Sequence, residues 1–114
     1  MRTVTIEVSS LRKSLARAKR AWNTREPQGE FISFDSLEAL LRTLTVKRWE
    51  LIQELQDIGP VSIRALARRL GRDVKNVHGD VTALVDIGLV ERTGQRVSVP
   101  YEEIRAGFAV RKAA

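Results

Sequence analysis

Apolar and polar positions alternate at the start of the chain. In RTVTIEV, Val4, Ile6 and Val8 point one way and Thr3, Thr5 and Glu7 the other. That period of two predicts a half-buried strand. The period then lengthens. After a cap at Ser9 or Ser10, the residues Leu11, Leu15, Ala18 and Trp22 fall within about 60° of one another at about 100° per residue, which predicts a helix with one apolar face. Arg12, Lys13, Arg17, Lys19 and Arg20 cover the rest of that cylinder. NTREPQGE places Pro27 and Gly29 among polar residues and reads as a loop. It marks the expected boundary between a strand–helix arm, residues 1–30, and a main domain, residues 31–114.

FISF is a short strand candidate, and Asp35 with Glu38 three residues later forms a capping-box pattern. Leu37, Leu40, Leu41 and Leu44 then carry helical spacing. Thr45 caps a second helix bearing Trp49, Leu51, Ile52 and Leu55, ended by Gly59-Pro60. Ser62 opens a third, with Ile63, Leu66, Ala67 and Leu70 on its apolar stripe and Gly71 at its end. Asp73 caps a fourth, in which Val74, Val77, Val81, Leu84 and Val85 point inward and Gly88 closes. LVERTGQRVSVP reads as a β-hairpin around Thr93-Gly94-Gln95. Beyond Pro100, the residues Tyr101, Ile104 and Phe108 suggest one face of a short terminal helix. The whole predicts a mainly α protein with a small β component, in the α+β class. One residue does not fit its pattern. Gly79 falls at the centre of the outward face of the fourth helix, among Lys75, Asn76, Thr82 and Ala83, where glycine costs about 1 kcal/mol against alanine.

Composition narrows the classes. A chain of 114 residues fits one domain, or one domain with an arm. It has no cysteine, so disulfides and thiolate metal sites are excluded. There is no apolar run of the length a membrane span needs and no signal-peptide pattern, so a cytoplasmic protein with no membrane partner is expected. The formal charge of +6 is unevenly placed. Residues 1–25 hold seven bases against Glu7, whereas residues 26–114 balance. Within the balanced part, Arg64, Arg68, Arg69, Arg72 and Lys75 face only Asp73. Two basic islands on a neutral body point to an anionic partner. Nothing resembles a phosphate-cradling glycine loop, a nucleophile elbow or a metal-ligand spacing, so neither an enzyme nor a cofactor is expected. His78, the sole histidine, reads as a packed or boundary residue, and both tryptophans read as core.

The element order is helix, short helix, tight turn, helix, hairpin. Residues 36–99, and SIRALARRLGRDVKNVHGDVTALVDIGLVER above all, resemble the MarR-like winged helix-turn-helix of small prokaryotic transcriptional regulators. LTVKRWELI before that stretch and VPYEEI after it are also similar to this group, some of whose members act as antitoxins of toxin–antitoxin pairs. The resemblance implies a winged helix-turn-helix with an N-terminal strand–helix arm. Asp73 to Gly88 would be its recognition helix and Arg92 to Arg96 its wing tip. It implies a DNA-binding regulator acting as a repressor, a homodimer on double-stranded DNA, with a cognate toxin as a further partner. Lys75 and Asn76 would read base edges, with Gly79 and Thr82 on the same face. Arg68, Arg69 and Arg72 would meet phosphates near the turn, and Arg92 and Arg96 would enter the minor groove or touch its backbone.

Other readings stand beside these. Arg68 and Arg69 have Glu50, Glu54 and Asp57 as alternative partners, and Asp80 reads as a salt-bridge or helix–helix residue. The dimer surface is expected at the edge of RTVTIEV or on the face of Tyr101, Ile104 and Phe108. Alternatively RTVTIEV pairs with FISF within the chain. The alternative function is a protein-interaction module that binds its partner through the N-terminal arm without reading DNA.

Overall fold

The computed structural model describes residues 1–9 and 29–113. The basic helix expected over residues 11–22, with the cap candidate Ser10 and the start of the loop after it, lies outside the described residues. Among the described residues ten elements occur: β1 (Thr3–Val8), β2 (Glu30–Phe34), α1 (Leu37–Thr43), α2 (Val46–Ile58), β3 (Val61–Ser62), α3 (Ile63–Leu70), α4 (Val74–Asp86), β4 (Glu91–Thr93), β5 (Arg96–Ser98) and β6 (Glu103–Gly107). The protein is of the α+β class. Its described chain forms two compact units, Met1–Arg2 with Thr43–Glu102, and Thr3–Arg42 with Glu103–Ala114. The boundary expected at residue 30 falls inside the second unit, because strands from both ends of the chain share one sheet.

That sheet has the order β2-β1-β6. Both pairings are parallel, with Ile6 opposite Ile32 and Ala106, and Val4 opposite Ile104. The alternation read in RTVTIEV is what sorts its faces. Val4 and Ile6 are buried while Thr3, Thr5 and Glu7 are half-buried. Parallel neighbours need a crossover of about a dozen residues or more, and the stretch from Ser9 to Gly29 supplies that length. Two expectations are corrected here. Residues 103–107 are a strand, not part of a terminal helix. Ile104 and Ala106 alternate in register with Val4 and Ile6, and pairing with a strand already in place outweighs the weak helical spacing of a short, uncapped segment. Nor does β1 offer a free edge to a second copy, because β2 and β6 take both its sides. The pairing of RTVTIEV with FISF within the chain is the arrangement found.

The unit built on residues 43–102 holds α2, α3, α4 and the antiparallel sheet β3-β5-β4. Leu51, Ile52 and Leu55 of α2, Leu66 and Ala67 of α3, and Val77, Val81 and Leu84 of α4 are all buried. α3 contacts both other helices. The caps are largely those the sequence suggests. Thr45 accepts from the Arg48 N–H at 3.3 Å, Ser62 from the Ala65 N–H at 3.1 Å, and Asp73 from the Lys75 N–H at 2.8 Å. α1 differs. Its first turn is capped by Ser36, which accepts from the Ala39 N–H at 3.1 Å, in place of the Asp35–Glu38 box. Glu38 instead pairs forward along α1 with Arg42. Tyr101, expected on a terminal helix face, is buried in this unit, donating to the Gly88 carbonyl at 3.3 Å and lying under the Arg2 guanidinium.

Candidate nucleic-acid interface

α3 and α4 are separated by Gly71, Arg72 and Asp73 alone. Such a turn needs one residue in the left-handed region, and Gly71 supplies it at φ +65°. Its N–H reaches the Arg68 carbonyl at 3.2 Å, and the Arg72 N–H reaches that of Ala67 at 3.0 Å. This paired closure satisfies carbonyls that the helix end would leave open. The chain is then turned sharply into α4, whose N-terminus is held by Asp73.

A second device fixes this corner. The Asp80 carboxylate of α4 accepts from Arg48 of α2 at 3.0 Å and from Arg72 of the turn at 2.7 Å. Side-chain exposures are 17% for Asp80, 22% for Arg48 and 19% for Arg72, so water screens the trio only partly. Arg48 also donates to the Thr43 carbonyl at 2.8 Å. Burial by itself raises the Asp80 carboxyl. The hydrogen bonds and charges of Arg72 and Arg48 outweigh it and hold the group below the ordinary carboxylate range. Three elements are thereby tied through one carboxylate, and Asp80 takes the ion-pair role expected of it.

The outward side of α4 carries Lys75, Asn76, Gly79 and Thr82, all exposed. The Thr82 hydroxyl donates back to the His78 carbonyl at 2.9 Å, which settles its rotamer. A Cβ built on Gly79 meets nothing within 4 Å, and its backbone lies outside the positive-φ region. Neither space nor conformation within the described residues asks for glycine there.

The expected phosphate-facing arginines divide. Arg68 is exposed and makes no ion pair among the described residues. Arg69 is over half exposed but bonds Glu54 of α2 at 2.6 Å, one of the alternatives the sequence offers. Arg72, expected on the open surface, is mostly buried against Asp80 and is a structural member of the corner. On the hairpin, Thr93 pairs with Arg96 across the two-residue turn Gly94-Gln95, with Gly94 at φ +61° as such turns require. Arg92 and Arg96 are both exposed on its arms.

Two basic groups join this surface beyond those expected there: Arg64, read from the sequence only as part of the basic island, and His78, expected packed or at a boundary but exposed. Arg64 in the first turn of α3 and His78 on α4 line, with Arg92, a cleft of about 530 Å³. The signal available was helical phase: His78 lies one turn after Lys75, on the same exposed side. Among the described residues, no helix is long and apolar enough to cross a membrane, and no cluster of acidic, histidine or cysteine side chains could hold a metal ion.

Fold and surface together define a small α+β protein, with a three-helix corner and a hairpin on which several exposed cations make no ion pair among the described residues. The family model described as HVO_A0114 matches residues 43–106, more than half of the chain and nearly all of the unit that holds this surface. The chain belongs to that family. Comparison with curated proteins finds no match.

Proposed function

We propose that this protein is a sequence-specific DNA-binding transcriptional regulator of the MarR-like winged helix-turn-helix kind, with α4 as its recognition helix and the β4–β5 hairpin as its wing. The observation that carries the reading is Gly79. An exposed glycine in a helix interior is destabilising by about 1 kcal/mol, and nothing in the described fold requires it. A bare patch of helix backbone, bordered by Lys75, Asn76 and Thr82, is explained by close approach of a partner. A major groove about 12 Å wide admits such a helix. Lys75 reaches a guanine edge or a phosphate, Asn76 suits the paired donor and acceptor of adenine, and the Thr82 methyl is available to a thymine methyl. Arg68, Arg92 and Arg96 are free to meet backbone phosphates, and Arg69 is recruited by exchange from Glu54.

In this reading the protein works in the cytoplasm as a homodimer, occludes a promoter as a repressor, and takes a toxin as partner where one is encoded beside it. The outer strands of the described parallel sheet, β2 and β6, replace β1 as the dimer candidates. Selection of duplexes from a random pool, followed by gel shifts, tests the reading. Lys75→Ala and Asn76→Ala should each cost about 1–3 kcal/mol on the selected site. Unchanged affinity in both would refute the assignment of α4.

One observation favours a second reading, that of a protein-interaction module. Two of the three arginines clustered near the turn, Arg69 and Arg72, are already neutralised by acids of the same chain. Binding of an acidic protein through residues 1–25, with no salt-sensitive DNA binding, would select that reading.

A further inference from the structure

The cleft beside α4 has a composition that base contacts do not account for. Three separate elements each bring one basic side chain to it: Arg64 from α3, His78 from α4 and Arg92 from β4. Among the described residues no carboxylate lines it, and none of the three makes an ion pair. Ile63 and Val74 supply apolar wall. Gln95, at the hairpin turn, adds an amide donor.

The helix end at the cleft is also of the right sign. α3 has the neutral Ser62 as its cap and no acid in its first turn, so the partial positive charge of its N-terminus is left uncancelled. α4 is the opposite case, with the Asp73 carboxylate already seated on its N-terminal N–H groups. An anion is therefore drawn to the start of α3 and away from the start of α4.

We infer that this cleft seats one phosphate group of a nucleic-acid backbone, with Arg64, Arg92 and His78 as its donors. The inference rests on the reading of α4 as a DNA-facing helix and adds to it a defined subsite. It also makes the grip sensitive to pH. Histidine changes charge within the physiological range. The charged groups around His78 are Arg64 on α3, Arg92 on the hairpin and Lys75 one turn back on α4. All are cations. An imidazolium there would add to the attraction for a phosphate, so binding tightens as pH falls.

Because His78 is the only histidine, its imidazole protons form one identifiable set in a proton NMR spectrum of the full chain. The probes are a mixed-sequence DNA duplex of about 20 base pairs at low salt, where backbone contacts dominate binding, and inorganic phosphate. The duplex is expected to move the His78 resonances and to bind at least about threefold tighter at pH 6 than at pH 8. His78→Gln should remove that pH dependence. Arg64→Gln should lower the salt slope by about one. A bound duplex that leaves the His78 signals unmoved, with the same pH dependence in His78→Gln, overturns the subsite and leaves the DNA reading standing. Movement with millimolar inorganic phosphate and none with duplex overturns the nucleic-acid assignment. If the unsubstituted protein binds no duplex, the binding curve alone shows that the reading of α4 has failed, and the subsite falls with it.

Discussion

Replacing Asp80 by asparagine removes one charge and leaves the shape of the side chain nearly unchanged. Asp80 serves two guanidinium groups at 3.0 and 2.7 Å, and all three side chains are about four-fifths buried. An amide offers only one acceptor oxygen, and its NH₂ group would face the second guanidinium donor to donor. A unit pair at about 4 Å is attracted by about 4 kcal/mol at an effective dielectric constant of 20. Desolvation of the carboxylate and repulsion between the two arginines offset much of that. Breaking a buried ion pair from one side costs about 3–5 kcal/mol. Partial exposure lowers the expectation here to about 3 kcal/mol, and a domain of this size loses about 4–8 °C of melting temperature per kcal/mol. Asp80→Asn should therefore melt about 12–24 °C below the parent by calorimetry or far-ultraviolet circular dichroism. Adding Arg72→Gln removes one of the uncompensated cations and should recover at least about 1 kcal/mol through the coupling that contacting residues show. A loss under about 0.5 kcal/mol, with no recovery in the double variant, would place the trio among exposed ion pairs of negligible worth and refute the corner argument.

Three further outcomes are expected. Gly79→Ala should raise stability in urea by about 1 kcal/mol while weakening DNA binding; if stability falls, the fold itself needs this glycine. Ser62→Ala should cost about 1 kcal/mol from the loss of the α3 cap, read as a lower urea midpoint at unchanged slope. Acid unfolding should reveal Asp80. Its folded value is held below the ordinary carboxylate range, so its contribution is complete above the unfolded value and is lost as pH falls through the lowered one. Asp80→Asn should accordingly flatten the acid limb of a stability–pH curve and leave the limb above pH 5 parallel to that of the parent.

Periodicity and cap chemistry alone determined much of the unit spanning residues 43–102. Ser62, Gly71, Asp73 and Gly88 mark helix ends where the sequence puts them, because capping is a local bargain between a side chain and nearby N–H groups. Val77, Val81 and Leu84 of the α4 stripe and the hairpin turn at Gly94 were legible for the same reason, whereas Val74, expected inward, is exposed. The parallel sheet was not. The partners of β1 lie at residues 30–34 and 103–107, and nothing local in EIRAG distinguishes a strand from a weak helix until β1 stands beside it. The candidate surface divides the same way. Lys75, Asn76 and Gly79 follow from helical phase. Whether an arginine is free depends on acids distant in sequence, so only tertiary structure could bind Arg72 to Asp80, tie Arg69 to Glu54, and bring Arg64, His78 and Arg92 to one cleft. Local order is written in neighbouring residues, whereas the pairing of charges and strands is decided by which distant segments the burial of apolar surface brings together.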